Sequence, residues 1–256
     1  MIHQSKPEVL FKYTNIENAI KIIQSSSLKF SNPTDFNDPF DCDVDLVSFN
    51  FNEDPHPDIL LEKEIIQRKF RLNEIQFNSN ENKINFWNEL YREAQIEKIN
   101  STRISCFSLA NDIILMWSHY ADKHKGVCLA FNNFISPRFI DLNDIDDISE
   151  GYVEYSAENK INYISSDKLT GIRKIFLSKS KSWSHEQEYR YLLVNHKKDV
   201  YKFRAQFLVD IYFGLKTSLD EKEHFINLCR KENLNHVKFH EPAKHFLELS
   251  FYPINI

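Results

Sequence analysis

Apolar residues along the chain recur first at one period and then at another, and each change of period marks an element. Val9-Leu10-Phe11-Lys12-Tyr13 predicts a short strand. Ile16, Ala19, Ile20 and Ile23 follow at helical spacing and predict an amphipathic helix over 15–26. Thr14-Asn15-Ile16-Glu17 at its start has the form of a capping box with Thr14 as N-cap. Leu28-Lys29-Phe30 predicts a second strand, and the Asp-, Asn- and Pro-rich stretch from Thr34 to Asp45 a loop. Charged helical patterns over 59–73 and 82–100, parted by a polar hinge at 78–82, predict a helical hairpin inserted over 59–100.

Arg103 to Ser108 reads as a strand, Asn111-Asp112 as the cap of a helix to about Lys123, and Gly126 as its C-terminal stop. Val127 to Phe131 is continuously apolar, as in a strand buried on both faces. An acidic loop over 138–150, a strand over 152–155, a helix over 168–181 and a strand over 186–194 follow. The tail offers a strand from Val209 to Gly214 and a helix opened by the capping box Ser218-Leu219-Asp220-Glu221. Strands at 237–239 and 246–252 end it. Short strands and helices in irregular alternation imply an α+β fold, with a mixed, mainly antiparallel sheet flanked by helices, as a single domain over 1–256.

The segment Glu186-Gln187-Glu188-Tyr189-Arg190-Tyr191-Leu192-Leu193 carries the most chemistry. In a strand, Glu186, Glu188, Arg190 and Leu192 share one face, and Gln187, Tyr189, Tyr191 and Leu193 the other. Two carboxylates and a guanidinium in a row suit a polar cleft wall, where neighbouring carboxylates shift each other's pKa. They equally suit an edge strand whose charged face meets water, with Arg190 pairing Glu188.

Composition narrows the chemistry. Four glycines in 256 residues, Gly126, Gly151, Gly171 and Gly214, lie too far apart for a phosphate-binding loop. A net charge of −5 argues against broad nucleic-acid binding. Lys174, Lys179, Lys181, Lys197 and Lys198 read as a solvated basic face. Cys42, Cys106, Cys128 and Cys229 lack zinc or disulfide spacing, so no metal is expected, and Cys106 and Cys128, in apolar contexts, read as buried thiols. No leader and no apolar run of roughly 20 residues is evident, which favours a cytoplasmic protein without membrane contact. Asn37-Asp38-Pro39 has the form of an Asx turn, anchored by Phe36 and Phe40. Asp38 or Asp41 with Glu186 or Glu188 would also serve a metal-dependent nuclease.

Leu10-Phe11-Lys12-Tyr13-Thr14, Phe36-Asn37-Asp38-Pro39-Phe40-Asp41, Ser105-Cys106-Phe107-Ser108, Met116-Trp117-Ser118-His119-Tyr120-Ala121 with Gly126-Val127, and Trp183 with Glu186-Gln187-Glu188-Tyr189-Arg190 together resemble the bacterial family known as domain of unknown function 2971. A fainter resemblance is to mono-ADP-ribosyltransferases, in which a His- or Arg-bearing strand, a Ser-bearing strand and a Glu-x-Glu strand follow in that order. Lys12 stands where that family has His or Arg, and Ser105 and Ser108 form Ser-x-x-Ser in place of Ser-x-Ser. This resemblance implies an ADP-ribosyltransferase-like fold and NAD, or a related nucleotide, as substrate. Glu188 would face the oxocarbenium-like transition state and Glu186 would steer an unknown macromolecular acceptor. Lys12 would meet the pyrophosphate or the ribose, Ser105 would brace Glu188, Ser108 would share its strand, and Tyr13 or Trp117 would stack on nicotinamide. A toxin or phage-defence effector is the role such chemistry implies. A non-catalytic ligand- or protein-binding module on the same fold is the alternative.

Overall fold

A computed structural model describes residues 5–72, 75–132, 148–156, 160–196 and 198–255. Its strands are β1 (Val9–Thr14), β2 (Ser27–Lys29), β3 (Val47–Ser48), β4 (Arg103–Ser108), β5 (Val127–Asn132), β6 (Ile148–Tyr152), β7 (Glu154–Tyr155), β8 (Ile161–Asn162), β9 (Ser178–Lys179), β10 (Glu188–Leu193), β11 (Val200–Lys202), β12 (Leu208–Phe213), β13 (Lys238–His245) and β14 (Glu248–Pro253). The helices are α1 (Ile16–Ser25), α2 (Pro57–Lys69), α3 (Asn80–Asn100), α4 (Ile114–His119), α5 (Lys168–Phe176) and α6 (Leu219–Lys231). Eight strands form the main sheet in the order β14-β13-β12-β5-β1-β4-β10-β6. It is antiparallel throughout except where β12 meets β13. The expected α+β class with a large, mainly antiparallel sheet flanked by helices is therefore what the chain adopts.

The two sheet faces follow from side-chain alternation. Leu10, Phe107, Leu129, Tyr189, Tyr191 and Leu193 fill a core with Ala19 and Ile23 of α1 and Phe225, Ile226 and Cys229 of α6. On the opposite face Ile104 and Leu192 pack with Trp87, Tyr91 and Ile99 of α3, Ile59 of α2 and Phe176 of α5. Tyr13, Cys128 and Leu249 pack there under Met116 and Trp117 of α4. The second face is thus covered by two apolar clusters, and the polar residues of β4 and β10 fall between them.

Several boundaries differ from expectation for local reasons. Asn15, not Thr14, caps α1, accepting the Asn18 N–H at 2.8 Å, while Thr14 stays in the strand. The helix expected over 111–123 is confined to α4, without a side-chain cap, and residues 122–124 turn into positive φ. The acidic loop expected over 138–150 ends in strand β6, whose residues 148–150 pair with β10; residues 133–147 lie outside the described residues. α5 stops at Phe176, so 168–181 is not one helix. The capping box of α6 is formed as expected by Ser218 and Glu221. Gly126 sits where backbone leaves no room: a Cβ there would stand 2.2 Å from the Thr14 carbonyl oxygen.

Candidate functional site

β10 is not an edge. It lies between β4 and β6, with Glu188 opposite Ser108 and Arg190 opposite Cys106 on β4. All six of its residues are buried. The expected division of faces holds for Glu188, Arg190 and Leu192 against Tyr189, Tyr191 and Leu193. Glu186 departs from it: residues 181–186 form a 3-10 turn, and Gln187 takes a left-handed φ of 47°. That turn still brings the Glu186 carboxylate back beside Glu188.

The carboxylates and cations form one network. Lys179 Nζ donates to Glu186 Oε2 at 2.5 Å and to Glu188 Oε1 at 2.8 Å, and lies 3.5 Å from Asp41 Oδ2. Arg190 donates from Nε to Glu188 Oε2 at 2.6 Å and through both terminal nitrogens to Asp41, at 2.8 and 2.6 Å. Its Nη1 also reaches the Phe176 carbonyl at 3.0 Å. Tyr120 Oη donates to Glu186 Oε1 at 2.6 Å. The Glu188 backbone N–H donates to Tyr155 Oη at 2.8 Å. Lys179, expected on a solvated basic face, is instead 6% exposed. Its place follows from β9, which pairs with β7 and carries it beneath the Trp183 ring.

The network's charge explains its protonation. Two buried cations, Lys179 and Arg190, face three carboxylates. Burial opposes ionisation of Glu188, but Arg190 and Lys179 outweigh it and hold its pKa well below the usual range. Burial raises Glu186, its neighbour Glu188 raises it further, and Lys179 offsets only part, leaving it at about 7. The pair therefore divides into one ionised carboxylate and one poised near neutrality.

A cavity of about 210 Å³ opens on this network. Exposed Lys29 and Asn37 stand at its mouth, and Glu186, Glu188, Asp41 and Lys179 at its buried end. Lys12, Tyr13 and Ser108 also line it. β1 and β4 meet at one register position, Phe11 opposite Ser108, and Lys12 fills the gap where they part. Its Nζ donates to the Cys106 carbonyl at 3.0 Å and to Ser105 Oγ at 3.3 Å, over the Phe107 ring. Burial lowers the Lys12 pKa, against the pull of Cys106 and Glu188.

Other expected contributors do not take the expected roles. Ser105 lies opposite Tyr191, on the face away from Glu188, and its hydroxyl meets Lys12, so it does not brace Glu188. Ser108 is on the Glu188 face, but its hydroxyl donates to the Glu186 backbone carbonyl at 2.7 Å. Trp117 is 0% exposed and does not line the cavity; its indole N–H is used by the Asn111 carbonyl, so it has no free face for nicotinamide. Tyr13 packs edge-on against Trp117 and donates to the Ala110 carbonyl. Cys106 lines the cavity, but burial, then Glu188, pushes its thiol up to about 12, far from a reactive thiolate.

The Asx turn is present, with Phe40 N–H donating to Asp38 Oδ1 at 3.0 Å. Phe40 does not anchor it: that ring is 72% exposed, and Phe36 alone packs inward. Among the described residues no group of three or more His, Cys, Asp or Glu is arranged to hold a metal ion. The nuclease arrangement meets a physical obstacle as well, since the Lys179 ammonium occupies the space among Asp41, Glu186 and Glu188.

The stretch from α4 through β10 carries a family match. Residues 116–191 match DUF2971, a protein family of unknown function. The DUF2971 stretch holds Met116 to Tyr120, Lys179, Trp183 and the Glu186–Arg190 segment, while Lys12, Asp41 and Ser105 lie outside it. No curated protein matches the chain. No solved structure matches it either. No helix among the described residues is long and apolar enough to cross a membrane.

Proposed function

We propose that this protein cleaves the nicotinamide–ribose bond of NAD and transfers ADP-ribose to a macromolecular acceptor. One observation carries the reading: Lys12 of β1, Glu188 of β10 and the adjoining Glu186 open on one cavity, with an ionised carboxylate beside one poised near neutrality. Departure of nicotinamide leaves positive charge on the ribose, and an ionised Glu188 at the buried end stabilises that charge more than the ground state. Glu186, at about 7, suits proton removal from the acceptor nucleophile. Tyr120 and Lys179 fix its orientation. Lys12 and, at the mouth, Lys29 offer positive charge to phosphate. The cavity is smaller than the roughly 300 Å³ at which sites for whole drug-sized ligands begin, so it seats the nicotinamide–ribose end with the adenylate outside.

The test is release of nicotinamide and transfer of label from NAD by the wild type, Glu188→Gln and Lys12→Met. Wild-type turnover that falls at least about 100-fold in Glu188→Gln, in protein whose melting shows it folded, is the expected result. Equal rates in wild type and Glu188→Gln, or no turnover by the wild type with a broad set of protein and nucleic-acid acceptors, would overturn it.

One observation favours a second reading, a binding module without turnover. Each Glu188 oxygen already accepts from a buried cation. Its signature is saturable nucleotide binding by the wild type that Glu186→Ala leaves unchanged, with no nicotinamide released.

A further inference from the structure

α2 turns an apolar stripe to solvent. Ile59 is fully buried, and Ile66 packs against the same cluster of α3 and α5 side chains, so that side of the helix faces the core. The opposite side carries Asp58, Leu61, Ile65 and Arg68. They are three, four and three residues apart, a spacing that keeps them on one stripe of a helix. Leu61 is 61% exposed and Ile65 57%, and Asp58 and Arg68 stand in water at the two ends. The start of α5, tied to α2 by Lys168 Nζ and Glu62 at 3.3 Å, adds Leu169, 65% exposed, to this part of the surface.

This stripe is complementary to itself when reversed. A two-fold axis at the level of Lys63 sets Leu61 opposite Ile65 of a second copy and Asp58 opposite its Arg68, and symmetry makes each contact twice. Asp58 lies in the first turn of α2 and Arg68 in the last, so antiparallel helices also align their dipoles favourably. The present partners of the two charges are exposed and weak: Asp58 lies 3.5 Å from His56 and Arg68 3.7 Å from Glu64. We infer that α2 is a self-association surface that pairs antiparallel with α2 of a second copy of this chain, through Leu61 and Ile65, with Asp58 and Arg68 fixing the register.

The charge pattern selects this occupant over its rivals. An anionic bilayer or a nucleic acid takes an apolar stripe flanked by positive charge. Over Pro57–Lys69 three carboxylates balance three cations, and the stripe ends in opposite signs. A reversed copy of the same helix meets both signs at once. No residue of α2 lines the cavity at Glu186 and Glu188, so pairing leaves that cavity open, and the inference is independent of the NAD reading.

The test is sedimentation velocity of the full chain over roughly 5–500 µM, the range in which an interface of one short helix pair exchanges. The wild type should show a concentration-dependent equilibrium between monomer and dimer. Leu61→Ser and Ile65→Ser should each weaken it at least about 10-fold. Asp58→Arg and Arg68→Asp each set like charges opposite one another twice, and each should weaken it at least about 10-fold as well. An equimolar mixture of those two variants should recover the dimer, because every facing pair is then opposite in sign. Melting curves show that each variant is folded; should a charge variant not fold, the two serine variants decide. A wild type that stays monomeric at every concentration, a dimer that both serine variants leave unchanged, or a mixture of folded charge variants that associates no better than either alone would each overturn the assignment.

Discussion

Replacing Arg190 by Met tests whether the buried network is a balanced ionic unit. The Arg190 side chain is 0% exposed and donates to Glu188, Asp41 and the Phe176 carbonyl. Methionine fills much of the same volume, so the change removes charge and donors more than packing. It leaves Asp41 with Lys179 at 3.5 Å and strips Glu188 Oε2 of its donor. Removing one partner of a buried ion pair costs about 3–5 kcal/mol, because the other charge stays behind in a medium that solvates it poorly. At about 2–4 °C per kcal/mol for a chain of this size, melting should fall by roughly 6–20 °C.

Asp41→Asn combined with Arg190→Met removes a stranded charge as well as its partner. The double variant should therefore recover at least about 1 kcal/mol relative to the sum of the single changes. Urea unfolding of the four proteins measures all of these terms. The deficit of Arg190→Met should also narrow on acidification. In the wild type Glu188 titrates below its ordinary 4.5, so its stabilisation is present above that value and lost as pH falls through the folded pKa. Without Arg190 that contribution is largely gone already. A loss under about 1 kcal/mol for Arg190→Met, or strict additivity with Asp41→Asn, would refute the balanced-unit account.

The neighbouring carboxylate predicts the opposite slope. Glu186 is raised from 4.5 to about 7, so the stability it contributes is present below 4.5 and is lost as pH rises toward 7. Glu186→Gln should flatten the pH dependence of the urea midpoint in that window, and an unchanged slope would contradict the charge counting. Gly126→Ala should destabilise by about 1–3 kcal/mol or more, because the new Cβ would meet the Thr14 carbonyl at 2.2 Å and Ala121 backbone atoms at 3.0 Å, none of them able to rotate away. An unchanged urea midpoint would mean that the β1–β5 pairing yields more readily than sheet backbone should.

Much of the sheet was legible because it depends on local alternation. Val9 to Tyr13, Arg103 to Ser108 and Val127 to Phe131 read correctly as strands, and Val209 to Gly214 does so up to Phe213. The two-faced character of β10 was also legible, since alternation sets Tyr189, Tyr191 and Leu193 apart as an aromatic-aliphatic face suited to a core. Elements ended by contacts distant in sequence were harder. α5 stops at Phe176 because residues 178–179 are taken up by β7, and nothing around Lys179 announces that pairing. The same blindness hid Lys179, whose charge looks solvated until Asp41, Glu186 and Glu188 are brought around it. Ser105 and Ser108 show a third limit. Alternation places them on opposite faces, but only the register Glu188 opposite Ser108 tells which serine lies on the carboxylate's side.

The network also changes which carboxylate has chemical freedom. Read as a strand motif, Glu186-Gln187-Glu188 makes Glu188 the reactive group only through its resemblance to the Glu-x-Glu strand of ADP-ribosyltransferases. The fold spends two cations on it, one for each oxygen, so that it is ionised, oriented and slow to change protonation. Glu186 lies one turn outside the strand and shares Lys179 with Glu188, and its other oxygen rests on a neutral phenol. With two buried cations for three carboxylates, the proton the site can gain or lose near neutrality resides on Glu186. A reaction run here would therefore use the two carboxylates in different steps. Glu188→Gln should abolish stabilisation of a cationic transition state at every pH. Glu186→Gln should instead remove a limb near pH 7 from the rate profile while sparing part of the rate. Pre-steady-state release of nicotinamide across pH 5–9 separates the two effects, and an identical profile for both variants would show that the carboxylates do not divide the work in this way.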